Sequence, residues 1–270
     1  MQREPFKEFE YLAWQRAAEH YEHYFAPLTN QTVGPLLDAV EAGSNMALLD
    51  VASGPGYVTA AAAQRGARAT GVDFSEAMVA KAKRLHPNLN FTFGDAEQLP
   101  FGDSEFDAVV MNFGILHLAQ PEMAIREVYR VLRHKGRFAF AVWAKPEEAV
   151  GFAIALRAVE AFGNSNIALP QGPPFFRFSD SDECTKVLDA SKFVDVGVEQ
   201  FPLIWELTST TDLFDAFYRG SARMGGLLRA QSKMALTAIR EAIHRSVAPY
   251  EQNGRLAIPM PARVVKAQKL

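Results

Sequence analysis

An apolar run that ends in an acid and then breaks into glycine and proline stands at Met46-Ala47-Leu48-Leu49-Asp50-Val51-Ala52-Ser53-Gly54-Pro55-Gly56-Tyr57-Val58. The apolar residues before Asp50 suit a strand buried on both faces of a sheet. Gly54-Pro55-Gly56 forces a tight turn, and the alanine-rich stretch from Thr59 to Ala63 resumes as a helix. A strand, a glycine loop and a helix start in that order let backbone approach a ligand closely and aim unpaired helix N–H groups at it.

From Met46 to Trp143 short apolar runs alternate with helical patterns, the sign of βαβ units and a parallel sheet. Arg68 to Asp73 is the second strand. Ser75 is an N-cap, and Met78, Val79, Ala82 and Leu85 are the buried stripe of the next helix, which Pro87 stops. Phe91-Thr92-Phe93 is a third strand and Asp107 to Asn112 a fourth. Pro121 opens a helix with Ile125, Val128, Tyr129 and Leu132 on one face; Arg133-His134-Lys135 is its basic last turn and Gly136 its C-cap. Arg137 to Trp143 is the fifth strand, apolar on both faces.

The flanks are less regular. Tyr11, Trp14, Tyr21, Tyr24 and Phe25 recur at helical spacing, and a second helix covers Val33 to Glu41. After Lys145-Pro146, residues 147–163 read as helix, and Asn164 to Asp182 as a loop-like segment containing Gly172-Pro173-Pro174-Phe175-Phe176-Arg177-Phe178. Phe193 to Phe201 alternates as a sixth strand. Thr211 to His244 holds two helices broken near Gly225-Gly226, and Leu256 to Val265 is a last strand whose two prolines suit a sheet edge. The expected architecture is α/β: a seven-stranded, mostly parallel sheet with helices on both faces and a partly helical cap. The expected segments are 1–45 (helical cap), 46–145 (ligand-binding core), 146–207 (lid and sixth strand) and 208–270 (helical insertion and last strand).

Composition narrows the function. The 270 residues carry 28 Lys and Arg against 31 Asp and Glu, a net charge of -3, which leaves no basic footprint for a nucleic-acid backbone. The chain has no apolar stretch long enough to span a membrane, and its opening lacks the apolar region of a signal peptide, so a cytoplasmic protein is expected. The single cysteine, Cys184, can form no intrachain disulfide and has no partners for a metal site.

In an open parallel sheet, ligands bind outside the carboxyl ends of the strands. Four such ends carry polar residues in step, Asp50 with the glycine loop, Asp73, Asp95 and Asn112, each one strand-helix-strand repeat from the next. Asp73 can accept both hydroxyls of a ribose, and Asp95 can accept from an exocyclic amine such as that of adenine. A dinucleotide loop needs G-x-G-x-x-G to seat a pyrophosphate. Here the small residues are Ala52-x-Gly54-x-Gly56, and Asp50 before the turn disfavours a pyrophosphate but suits an ammonium group. S-adenosylmethionine, with an adenosine end and an amino-acid end, fits better than a nicotinamide dinucleotide.

The chain resembles the class I S-adenosylmethionine-dependent methyltransferases, within them the branch of ubiquinone and menaquinone biosynthesis and many small-molecule enzymes. Five motifs carry the resemblance in order: Leu49 to Gly56, Gly71-Val72-Asp73-Phe74-Ser75, Gly94 to Phe101, Phe106 to Val110, and Glu127 to Leu132 with Gly136-Arg137. It implies a Rossmann-like fold and a cofactor site in which Asp50 orients the loop and the methionine end, while Ala52, Ser53, Gly54 and Gly56 approach through backbone. It further implies that Asp73 holds the ribose, Phe74 and Met78 flank the adenine, Asp95 and Ala96 read its amino edge, and Asn112 and Phe113 border the sulfonium. The family has glycine at Ala52, where a methyl group is tolerable if the backbone stays in a region open to L-residues.

His117, just past the fourth strand, is either a general base for the methyl acceptor or a surface histidine; His20, His23, His86, His134 and His244 read as surface residues. The aromatic content of the flanks, with Trp14, Tyr24, Phe175, Phe176 and Phe178 as candidate acceptor contacts, points to a largely apolar or aromatic small molecule, methylated on O, N or C with S-adenosylhomocysteine as product. The residues leave open a non-catalytic S-adenosylmethionine-binding module or sensor, and both a monomer and a homodimer. No metal site, nucleic-acid partner or membrane span is expected.

Overall fold

The structure is a computed structural model that describes residues 4–270. In chain order it begins with α1 (Pro5–Tyr24), a single turn α2 (Ala26–Thr29) and α3 (Val33–Ala39). The alternating part follows: β1 (Ala47–Val51), α4 (Tyr57–Gln64), β2 (Arg68–Asp73), α5 (Glu76–Leu85), β3 (Asn90–Phe93), β4 (Phe106–Asn112), α6 (Pro121–Val131) and β5 (Leu132–Trp143). Then come α7 (Val150–Phe162), α8 (Ser181–Ala190), β6 (Phe193–Phe201), β7 (Ile204–Leu207), α9 (Asp212–Gly220), α10 (Arg223–Arg229) and α11 (Lys233–Ser246). Strands β8 (Glu251–Gln252), β9 (Arg255–Pro259) and β10 (Ala262–Lys269) complete the order.

The chain forms two compact units. One gathers residues 1–28, 144–171 and 202–261, the other residues 29–143, 172–201 and 262–270. The second unit holds a seven-stranded sheet in the order β3-β2-β1-β4-β5-β10-β6. Strands β1 to β5 pair in parallel, and β10 is antiparallel to both β5 and β6. This is the expected mostly parallel α/β sheet. Its middle is apolar because both faces are covered: Leu48, Leu49, Val109, Val110, Phe138 and Ala139 are all fully buried. Ser75 caps α5 as expected, its side chain accepting from the Met78 N–H at 3.3 Å.

The first unit consists of α1, α7, α9, α10 and α11 with a three-stranded sheet in the order β7-β9-β8. Trp205 of β7 anchors it. Its indole is fully buried, donates to the Tyr24 carbonyl at 2.8 Å and packs against Phe25 and Phe217.

Three expectations are corrected. Gly136 does not cap α6: the helix ends at Val131 and β5 begins at Leu132. Lys135 takes the positive φ of 61° there, and the register slips so that Phe106 pairs with Leu132 but Ala108 with Arg137. The strand bulges within its own basic stretch.

Gly225-Gly226 does not break a helix but lies inside α10, and the region holds three helices. A Cβ on Gly226 would come within 2.7 Å of the Phe9 ring, so close helix packing explains this glycine. The breaks fall at Ser221-Ala222 and between Ala230 and Ser232.

The last apolar stretch is two strands. Pro259 and Pro261 stand where the chain leaves the small sheet after β9 and enters the large one as β10. That strand is interior, flanked by β5 and β6, and β6 is the edge. Helix α8 was not anticipated by periodicity; Asp180 caps it through bonds from the Asp182 and Glu183 N–H groups.

Candidate active site

The loop after β1 has positive φ at three alternate positions, Ala52 (54°), Gly54 (52°) and Gly56 (85°). Ser53 and Pro55 between them do not. Alternation of this kind turns successive N–H groups toward one side and makes a concavity suited to an anion such as a carboxylate. The Ser53 N–H donates to the Val72 carbonyl at 3.0 Å, which fastens the loop to β2, and the Gly56 N–H donates to the Ser53 carbonyl at 2.9 Å. A Cβ on Gly56 would lie 2.5 Å from the Phe91 ring, so glycine is required there by space as well as by φ.

Ala52 answers the question its methyl raised. It does take the left-handed φ that favours glycine, a conformation that costs an L-residue about 1 kcal/mol. Its methyl is accommodated because Gly114 faces it: a Cβ on Gly114 would fall 2.6 Å from the Ala52 Cβ.

Asp50 ends in the interior, fully buried. Its Oδ2 accepts from the Thr59 N–H at 3.0 Å and the Thr59 hydroxyl at 2.7 Å, so the carboxylate caps the first turn of α4 from a distance. Its Oδ1 is buried with no hydrogen-bond partner among the described residues. Burial pushes the Asp50 carboxyl up to about 7 although the Thr59 bonds pull the other way. A buried, unpartnered acceptor oxygen beside a concavity of backbone N–H groups fits a zwitterion: ammonium to the acid, carboxylate to the loop.

Asp73 ends β2 at 6% exposure. Its Oδ2 accepts from the Gly54 N–H at 2.8 Å and its Oδ1 from the Ser75 N–H at 2.9 Å. Burial pushes it up to about 6, against the hydrogen bonds from Ser75 and Gly54 and the nearby His117. Phe74 is half-buried beside it, and Met78 is 3% exposed on α5. Asp95 is half-buried, and its Oδ1 accepts from the Glu97 N–H at 2.9 Å; Ala96 is buried next to it.

At the end of β4, Asn112 is held at both ends of its amide. Its Nδ2 donates to the Thr29 carbonyl at 3.1 Å, and the Thr32 hydroxyl, 2.6 Å from that same carbonyl, lies 2.8 Å from Asn112 Oδ1. Phe113 follows with a φ of 56°, a strained value for an aromatic residue, and stacks on Trp143 with ring centres 4.0 Å apart. His117 sits in a short 3-10 turn (Ile115–His117), with its ring edge-on to Phe175 at 5.8 Å.

The structure thus brings Asp50, Ala52, Ser53, Gly54, Gly56, Asp73, Asn112 and Phe113 to the carboxyl ends of adjacent strands β2, β1 and β4. Of the proposed acceptor contacts, Phe175 and Phe176 are half-buried and pack edge to face on one another. Phe178 is a correction: it is 2% exposed and packs against Phe140 of β5, so its surroundings are core. Trp14 and Tyr24 lie half-buried on α1 in the other unit, Trp14 against Tyr21. His86 is another correction, since it lies half-buried between Tyr57 and Phe91 with Nε2 buried.

Sequence reasoning missed the side chains of Thr59 and Thr32 and the backbone carbonyl of Thr29, which come from other segments. It also missed the role of Glu127 and Arg130. Arg130 pairs with Glu127 at 2.7 Å and Asp103 at 2.8 Å and donates to the Leu99 and Phe101 carbonyls, while Glu127 accepts from the Leu99 N–H. These two residues of α6 therefore fix the loop that follows Asp95. The advance signals were a Glu and an Arg three residues apart on a helix and their place in the motif Glu127 to Leu132. Among the described residues no cluster of His, Cys, Asp and Glu is placed to hold a metal ion, and no helix is long and apolar enough to cross a membrane.

Residues 49–140 match a family described as a methyltransferase domain. A demethylmenaquinone methyltransferase of Beutenbergia cavernae is 40% identical over 121 residues, 43% of this chain and 50% of that protein. The chain therefore spans about half the length of that relative. In three dimensions the Bacillus subtilis YcgJ protein aligns over 89% of this chain and 98% of its own, with a TM-score of 0.57 and 20% identity. A Haemonchus contortus phosphoethanolamine N-methyltransferase, solved with S-adenosylhomocysteine, aligns over 98% of this chain and 60% of its own, with a TM-score of 0.57 and 17% identity. These two structural likenesses are of fold.

Proposed function

We propose that this chain, whose residues 49–140 match a methyltransferase domain, is a class I S-adenosylmethionine-dependent methyltransferase that methylates a small, largely apolar or aromatic acceptor. One observation supports the cofactor reading above the others: Asp50 Oδ1 is buried, unpartnered and adjacent to the loop of alternating positive φ. In this reading the Asp50 carboxylate receives the ammonium group and the loop N–H groups receive the carboxylate. Asp73 holds the ribose with lone pairs left over from its bonds to Gly54 and Ser75. Phe74 and Met78 flank the base, Asp95 and Ala96 meet its amino edge, and Asn112 and Phe113 border the reacting end.

S-adenosylmethionine supplies a methyl group on a cationic sulfur, and the leaving group takes the electron pair of the broken C–S bond. The protein's part is orientation and exclusion of water. The stacked pair Phe113 and Trp143 lines the β4 and β5 ends with apolar surface. In this reading His117 accepts the proton that an O, N or activated C nucleophile sheds on forming its bond to the methyl carbon. Phe175 fixes the plane of that imidazole edge-on.

A quinol-type ring is the first acceptor to try, because the Beutenbergia relative is a demethylmenaquinone methyltransferase. Calorimetric titration with S-adenosylhomocysteine followed by mass analysis of products from quinol, phenol and amine panels tests the proposal. Methyl transfer that drops by about 10²-fold in His117→Gln with cofactor affinity kept supports it. Cofactor binding without transfer to any aromatic or apolar acceptor overturns it in favour of a binding module.

A further inference from the structure

His117 lies in a ring of contacts that closes on itself within the second unit. Its imidazole meets Phe175 edge-on at 5.8 Å, and Phe175 meets Phe176 edge to face at 5.0 Å. Arg177 follows. Its Nη2 lies 2.6 Å from Glu122 Oε1 and 2.6 Å from Glu183 Oε1, and its Nε donates to the same Glu183 oxygen at 2.8 Å. Glu122 stands in the first turn of α6, just after the loop that carries His117, so the path returns to the imidazole through the chain itself.

The parts of this ring are anchored separately. Phe178, with its ring centre 5.1 Å from Arg177 Cζ, is buried against Phe140 of β5. The Arg177 N–H donates to the Pro174 carbonyl at 3.0 Å and the Ser179 hydroxyl donates to the Phe176 carbonyl at 2.6 Å, so turns lock the backbone around Phe175 and Phe176. On the opposite side buried Glu97 accepts from the Gln120 N–H at 2.9 Å, which pins the chain between His117 and α6. The turns fix the shape of the 174–179 segment. The Arg177–Glu122 pair fixes its place against α6.

Glu122 and Glu183 belong to the first turns of α6 and α8, where the helix dipole favours acids, and one guanidinium spans both. With 24% and 26% of their side chains exposed, Arg177 and Glu183 are screened by salt less than a surface pair. Withdrawing the cation leaves two carboxylates repelling one another across the gap. A ring contact by itself lets the imidazole turn, whereas a planar guanidinium fork holds a fixed geometry. We propose that Arg177 is a positioning residue: by clamping Glu122 to Glu183 it seats Phe175 against His117 and fixes the orientation of the imidazole. That the seated imidazole acts as a base toward an acceptor rests on the proposed function; the seating does not.

Proton NMR of the full chain without cofactor or acceptor reads the seating directly. The His117 ring resonance is the one lost in His117→Gln, and the Phe175 ring is expected to displace it from the position of a histidine in water. Phe175→Leu is expected to abolish that displacement and Arg177→Met to remove most of it, with Arg177→Lys falling between. Should Arg177→Met fail to fold, Glu122→Gln breaks the same pair and is expected to move the resonance in the same direction. In turnover of the acceptor that the panels identify, Arg177→Met is expected to lower kcat about tenfold, the cost of a misplaced group, with S-adenosylhomocysteine affinity kept. A His117 resonance that holds its wild-type position in whichever of Arg177→Met and Glu122→Gln folds overturns the proposal, as does one that Phe175→Leu leaves in place. A shifted resonance with kcat unchanged, or with no acceptor turned over by the wild type, supports the seating and strikes the reading of His117 as a base.

Discussion

The Gly54 N–H donates to Asp73 Oδ2 at 2.8 Å, so the carboxylate that ends β2 fastens the glycine loop that follows β1. In the proposed site Asp73 therefore serves two ends, shaping the loop and offering its remaining lone pairs to the cofactor. Removing it withdraws both contributions. Asp73→Ala is expected to weaken S-adenosylhomocysteine binding by about 1–3 kcal/mol, the size of charge-assisted hydrogen bonds. Calorimetric titration measures this, and an unchanged affinity would contradict the assignment of Asp73 to the cofactor.

Asp50 and Asp73 stand at about 7 and about 6 in the folded chain, both above the ordinary 3.8. The folded state then holds more protons than the unfolded state from about pH 4 to pH 7, and stability from this coupled pair falls as pH rises through that window. The cofactor-free protein is expected to melt higher at pH 5 than at pH 8, and Asp50→Asn to narrow the difference. In the proposed site cofactor affinity runs the other way, because the ammonium group would be held by an ionised Asp50. It is expected to drop about tenfold between pH 8 and pH 6 and to lose this slope in Asp50→Asn. Scanning calorimetry and titration across pH measure the two opposed trends.

Ala52 and Gly114 share one small space between the β1 and β4 ends. Gly114→Ala is expected to cost about 1–3 kcal/mol through overpacking against Ala52 and Met111. Ala52→Gly alone is expected to change stability by less than about 1 kcal/mol, since relief of the positive φ offsets a more flexible unfolded chain. In combination Ala52→Gly restores part of what Gly114→Ala loses. Denaturant unfolding of the four proteins measures the coupling, and strictly additive effects would refute the contact.

Asn112 ties β4 to the turn at Thr29 and Thr32, whose residues are themselves buried. Asn112→Ala removes the Nδ2 donor to the Thr29 carbonyl and the Oδ1 beside the Thr32 hydroxyl, leaves the Thr32–Thr29 bond alone to hold the turn, and is expected to lower stability by about 1–3 kcal/mol. A double-mutant cycle with Thr32→Val should show an interaction energy of at least about 0.5 kcal/mol. Thermal unfolding that leaves Asn112→Ala unchanged would show that the clamp contributes nothing.

The legible and illegible parts of this chain divide by where the deciding partner lies. The strands and helices from Ala47 to Asn112 were readable because each is set by its own periodicity, and the acids Asp50, Asp73 and Asp95 announced themselves by falling at strand ends. Gly136 misled because a basic turn followed by glycine is locally a good helix end; only pairing of β5 with β4 extends the strand back through it. Gly225-Gly226 misled for a similar reason, since the glycine at 226 answers to the ring of Phe9, far away in sequence, which leaves no room for a side chain there. Pro259 and Pro261 were read as marks of an edge, and they instead mark a transfer between sheets. At the site, Thr59, Thr32 and Arg130 were invisible because a hydroxyl or guanidinium reveals its partner only after the chain has folded.

The place of β10 has a consequence for how the molecule is made. Phe201 of the edge strand β6 pairs with Ala262, and β10 is the only neighbour β6 has in the sheet. A ribosome therefore delivers β6 well before the strand that must slide in between it and β5. Until that happens the facing edges of β5 and β6 have no strand between them, and pairing over so long a separation in sequence is intrinsically slow.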